Sequence, residues 1–185
     1  MGFKPTGKWA MIGIIGIVIL IIIAAILILK KMGYDPVSEE TRTDYSSYSE
    51  FREDVMMSVL PETEPESAQN YKYYKHINED SNTSEYVISF EVNKEDLKSI
   101  KTYYDAQTVS NAEGDKNIKD EEITINFLEN EELSEVSQFI SSQRGFTVHR
   151  YKRSDSSDRR YQEGFLYNED SGQVVIFDIT RKTGQ

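Results

Sequence analysis

One segment constrains this chain more than any other: Trp9 to Leu29, WAMIGIIGIVILIIIAAILIL, 21 residues without a charged or strongly polar side chain. At 1.5 Å per residue such a helix is roughly 30 Å long, the hydrocarbon thickness of a bilayer. Lys4 and Lys8 precede the run, Lys30 and Lys31 follow it, and Trp9 stands where an interfacial anchor belongs. A cleavable signal has a shorter apolar stretch and then an A-x-A-like site. Here Ala24-Ala25 is followed by Ile-Leu-Ile-Leu and two lysines. The expectation is a retained, single-pass signal-anchor. A short basic tail ahead of a large acidic domain places the tail in the cytoplasm and the domain outside; a tethered cytoplasmic regulatory domain is the topological alternative.

The anchor hides how acidic the remainder is. The whole chain carries −11, but residues 32–185 hold 17 basic and 32 acidic side chains, a net −15. Phosphate backbones need a basic surface, so general nucleic-acid binding is excluded. With no cysteine there is no disulfide, thiolate metal site or lipidated cysteine.

The predicted organisation is a basic tail (1–8), a transmembrane helix (9–29), a tether (30–43) and a soluble α+β domain (44–185). After the tether, Tyr48, Phe51, Val55, Met56, Val59 and Leu60 recur at three- and four-residue steps. They predict an amphipathic helix, capped by Asp44 and stopped by Pro61. Strands are predicted at 71–77 and 86–92, the second alternating apolar Tyr86, Ile88, Phe90 and Val92 with Val87, Ser89 and Glu91. A helix runs from the Asn93 cap to about Asp105. A strand carries Ile123, Ile125 and Phe127, and a helix covers about 130–143, before strands near 146–152, 161–167 and 174–180. The order α-ββαβαβββ predicts a two-layer domain, a mixed sheet with right-handed crossovers that put the helices on one face.

The run FREDVMMSVLPETEPESAQNYKYY and the later VISFEVNKEDLKSI, with Pro61, Pro65 and a Tyr-Tyr pair, resemble segments of uncharacterised membrane- or lipid-anchored envelope proteins of gut Firmicutes. The similarity covers residues 51–101. The lipid-anchored members begin at a lipidated cysteine, which a helix replaces here. The resemblance implies an envelope location and no particular activity.

Catalytic motifs are missing. Leu60-Pro61-Glu62-Thr63-Glu64 has the outline of a sorting signal, with Glu64 where glycine is required. Asp80, Asn82 and Ser84 alternate like a calcium loop, but Glu85 follows where an EF-hand needs glycine. The two histidines, His76 and His149, have no metal-site spacing, and His149, alternating away from Phe146 and Val148, is expected at the surface. No catalytic, cofactor or metal residue is predicted, nor is enzyme activity. A local anomaly is RYKRSDSSDRRY at 150–161: Arg150, Lys152, Arg153, Arg159 and Arg160 outnumber Asp155 and Asp158 by three. This is the candidate contact for an anion or an envelope protein partner. The functional expectation is a membrane-anchored binding or assembly module, against an extracytoplasmic hydrolase whose carboxylates the fold assembles.

Overall fold

A computed structural model describes residues 39–55, 57–107, 115–122, 125–140 and 145–183. The chain divides between Ser38 and Glu39, and every described residue belongs to the second unit. The predicted tail, membrane helix and first part of the tether lie outside the described residues. Among the described residues no helix is long and apolar enough to cross a membrane.

The elements are β1 (Glu39–Arg42), α1 (Tyr48–Asp54), β2 (Gln69–Asn78), β3 (Thr83–Glu91), α2 (Lys94–Ala106), β4 (Lys116–Ile118), β5 (Glu121–Glu122), α3 (Ile125–Asn130), α4 (Ser134–Ser137), β6 (Phe146–Asp155), β7 (Arg159–Asn168) and β8 (Gln173–Lys182). The strands form one eight-stranded sheet in the order β1-β2-β3-β8-β7-β6-β4, with β5 also on β6. Every pairing is antiparallel. The sheet is therefore not mixed. The connection through α2 leaves β3 and reaches β4 at the far edge, because the β6–β7–β8 meander fills the space between them.

The helices do not share one face either. Tyr86, Ile88 and Phe90 of β3, with Phe165, Tyr167, Val174 and Ile176, pack beneath α1 and α2. Val87, Val148, Leu166, Val175 and Phe177 pack on the other side against Leu128, Leu133 and Val136 of the α3–α4 region. Val87 is fully buried, where one-sided alternation would expose it. The central strands are covered on both faces, which is why β8 can carry the unbroken run Val174-Val175-Ile176-Phe177.

Local chemistry sets the boundaries. α2 starts where expected, with Asn93 Oδ1 accepting from the Asp96 N–H at 2.8 Å. For α1 the cap is Ser47, not Asp44: Ser47 Oγ accepts from the Glu50 N–H at 3.1 Å. β1 lies within the predicted tether, as an all-polar edge strand against Lys75–Asn78 of β2. The predicted third strand is instead β5 followed by α3, in which Ile125 and Phe127 are helical. The expected helix at 130–143 divides into the end of α3 and the short α4. Glu132 adopts φ 56°, and the Leu133 N–H closes on Leu128 O at 2.9 Å, a left-handed stop that ends α3. Gly172 ends the β7–β8 turn at φ 70°, and an added Cβ there would lie 2.1 Å from Val92 O.

Candidate functional site

The arginine-rich segment forms the β6–β7 hairpin, and alternation divides its cations between two faces. Arg150 and Lys152 lie on the α2 side, Lys152 3.2 Å from Asp115 and Arg150 3.6 Å from Glu163. On the other side Arg153 meets Asp155 at 2.6 Å and Glu131 at 3.2 Å, while Arg160 meets Glu132 at 2.6 Å and Asp155 at 3.1 Å. Arg159, at the hairpin end, is 3.9 Å from Asp158. The five predicted contact residues thus do not converge. Four of them are drawn to carboxylates from other elements, including the buried Glu131. Burial pushes the Glu131 carboxyl up, but hydrogen bonds from Lys116, Tyr151 and Arg153 outweigh it and hold it below its ordinary value.

Where β6 passes under the end of α2, its register against β7 slips. Val148 pairs with Leu166 and Arg150 with Phe165, leaving His149 as an extra residue. A β-bulge of this kind turns two consecutive side chains to the same side. The His149 ring accordingly lies 5.4 Å from the Phe165 ring and 6.1 Å from that of Tyr167. Arg150 Nη1 donates to Tyr104 O and Gln107 Oε1, both at 3.2 Å, satisfying the C-terminal end of α2. His149, expected at the surface, is only 3% exposed. The expectation assumed solvent on the face that α2 covers.

The edge strand answers the bulge. Between β4 and β5 the chain departs from β6 at Lys119 and Asp120, where Asp120 takes φ 55°. Asp120 Oδ1 meets His149 Nδ1 at 2.8 Å and so fixes the ring. On the other side Asp105 Oδ1, at the end of α2, lies 3.4 Å from His149 Nε2. Asp105 also accepts from Lys119 at 2.7 Å, which holds its carboxyl below the usual carboxylate range.

Asp105, Gln107, Lys119, His149 and Arg150 line a cleft of about 240 Å³; Tyr104 and Tyr151 border it, but their side chains are buried in the cores on opposite faces of the sheet. Of the buried nitrogens here, Arg150 Nε has no hydrogen-bond partner, and His149 Nε2 has only the long contact to Asp105. A buried donor left unpaired costs about 1–3 kcal/mol. Nε of arginine can only donate; Nε2 of the imidazole donates or accepts according to the ring's proton. Both nitrogens are buried beneath the cleft, so the His149 and Arg150 side chains form its floor.

The fold also assembles two carboxylates, which sequence reasoning could not select from so many. Glu163 and Asp178 are partners across β7 and β8, 8% and 6% exposed. Tyr161 Oη donates to Glu163 at 2.5 Å and lies 3.3 Å from Asp178. Burial, and then the charge of Glu163, push the Asp178 carboxyl up to about 7. Neither carboxylate lines the cleft at His149. Among the described residues no group of three or more His, Asp or Glu side chains is arranged to hold a metal ion.

Comparison of the chain with protein-family models, with curated proteins and with solved structures finds no match.

Proposed function

We propose that this chain is a single-pass, membrane-anchored envelope protein whose acidic domain is a binding module, and that the cleft beside the β6 bulge is its ligand site. One observation carries the binding reading: charged side chains from three separate segments, Asp105, Lys119 and Arg150, line one cleft of about 240 Å³ beside His149. A bulge, a left-handed aspartate and a helix end all bear on that spot. The anchor and the extracytoplasmic side rest on the 21-residue apolar run, its flanking lysines and the −15 carried by residues 32–185.

Two measurements test the reading. Protease added to intact cells should remove the domain while an N-terminal fragment resists carbonate extraction. A protected domain refutes the extracytoplasmic side, and release by carbonate refutes the anchor. For binding, the full chain in detergent is screened by ligand-observed NMR against a fragment library. Hits that weaken when Asp105 is changed to Ala support the cleft; a screen with no such hit refutes it.

A further inference from the structure

We propose that the groove between α2 and the loop at 61–66 docks a basic, extended peptide segment of a partner protein. The loop is held at both ends. At its entry Tyr48 Oη donates to Pro61 O at 2.5 Å and Tyr104 Oη to Val59 O at 2.6 Å. At its exit the Ser67 N–H and Oγ donate to Asp96 of α2 at 2.8 and 2.6 Å. Between these ties lies an open groove of about 530 Å³. Half-buried Pro65 and Tyr103 give it apolar walls, and Ile100 lies beneath, in the core. From Asp96 to Tyr103 the helix rises about 10 Å, the length of about three extended residues. An open, pre-formed channel of that length suits a strip of peptide better than a small molecule, which needs a pocket that encloses it.

The charge around the groove selects the partner. Four carboxylates line it, Glu62, Glu64, Glu66 and Asp96, and no cation does. Glu64 accepts from Tyr71 Oη at 2.7 Å and Asp96 from Ser67, neutral donors that orient the carboxylates and leave their charge in place. Glu62 and Glu66 are exposed and meet no cation among the described residues. By contrast, Asp54 faces Lys75 at 2.9 Å, Asp155 faces Arg153 at 2.6 Å and Glu85 faces Arg181 at 2.7 Å. An anionic partner is repelled at the groove, and a neutral one leaves its charge unanswered. Lysine or arginine answers it with the charged head and lays its methylene stem along Pro65 and the Tyr103 ring. The groove shares no lining residue with the cleft at His149, so the two surfaces stand or fall separately.

The experiment follows amide shifts of the full chain in a non-ionic detergent as capped probes are titrated. The probes are the peptide Arg-Gly-Arg-Gly-Arg, its counterpart Glu-Gly-Glu-Gly-Glu, and spermidine. The expected result is saturable shifts at Thr63, Glu66, Ser99 and Tyr103 with the arginine peptide. Glu62→Gln combined with Glu66→Gln should weaken that binding about five-fold, the loss of two exposed ion pairs. Glu79→Gln combined with Asp80→Asn removes the same charge from the exposed β2–β3 turn and should leave the affinity unchanged. Ser99→Arg, at an exposed helix position, places a cation in the groove and should abolish the shifts there. Unchanged amide shifts away from the groove show that each variant remains folded. Absent groove shifts, equal weakening by the two double variants, or undiminished binding in Ser99→Arg each overturn the proposal. So does a glutamate peptide or spermidine that binds more tightly than the arginine peptide.

Discussion

Replacing Asp178 with Asn should stabilise the protein, and by an amount that depends on pH. The carboxyl is 6% exposed, its cross-strand partner on β7 is Glu163, and its pairing partner on β3 is Tyr86. Burial and the neighbouring carboxylate raise it from 3.8 to about 7, against the opposing hydrogen bond from Tyr161. The folded state therefore holds a proton that the unfolded chain has released. Where a folded-state value is raised, its contribution is fully present below the unfolded value and is lost as pH climbs through the folded one. Between about pH 4 and 7 the loss runs at about 1.4 kcal/mol per pH unit, or about 4 kcal/mol in all. An amide mimics the protonated acid and is spared that loss. Denaturant unfolding of the wild type and Asp178→Asn at pH 5 and pH 8 measures it. The variant's advantage should be about 2–3 kcal/mol larger at pH 8, and any constant offset from the altered hydrogen bonding cancels in the difference. An advantage that is equal at the two pH values, or that shrinks at pH 8, would refute the reasoning.

Other positions yield simpler expectations. Gly172→Ala meets both the strain of φ 70° and a Cβ contact at 2.1 Å with Val92 O, so it should cost about 2–4 kcal/mol in denaturant unfolding. Glu131→Gln removes the charge that Lys116 and Arg153 share, at a site 3% exposed, and should cost about 3 kcal/mol at pH 7. Because the Glu131 carboxyl sits below its ordinary 4.5, that cost should shrink in unfolding curves taken as pH falls below 4.5. Asn93→Ala deletes the α2 cap and should lower stability by about 1 kcal/mol, with thermal unfolding as a sufficient assay.

What the sequence revealed, and what it concealed, follows from how local each signal is. α2 was legible because a capping asparagine and a 3.6-residue apolar period lie in one stretch. The β7–β8 hairpin was legible because Asn168 and Gly172 write the turn into the chain: Asn168 Oδ1 accepts from the N–H groups of Asp170 and Ser171, both at 3.0 Å. The stop after α3 was illegible, since the left-handed position is held by Glu132 and not by glycine. β1 went unread because an edge strand of Glu, Glu, Thr and Arg buries almost nothing. The basic excess at 150–161 was real in sequence but is offset by Asp115, Glu131, Glu132 and Glu163, most of them far along the chain. The cleft was harder still. Alternation predicts which way a side chain points only while the ladder is regular, and nothing around His149 announces an extra residue.

That extra residue bears on how this protein could be altered. Strike His149 from β6, and Val148, Arg150 and Tyr151 fall into uninterrupted alternation; strike Asp120 as well, and the edge strand shortens by the same step. The two residues occupy the same step of the ladder and face one another. A double deletion would thus weigh two terms against each other: a ladder more regular than before, and the loss of the buried His149 ring from its place against Phe165 and Tyr167.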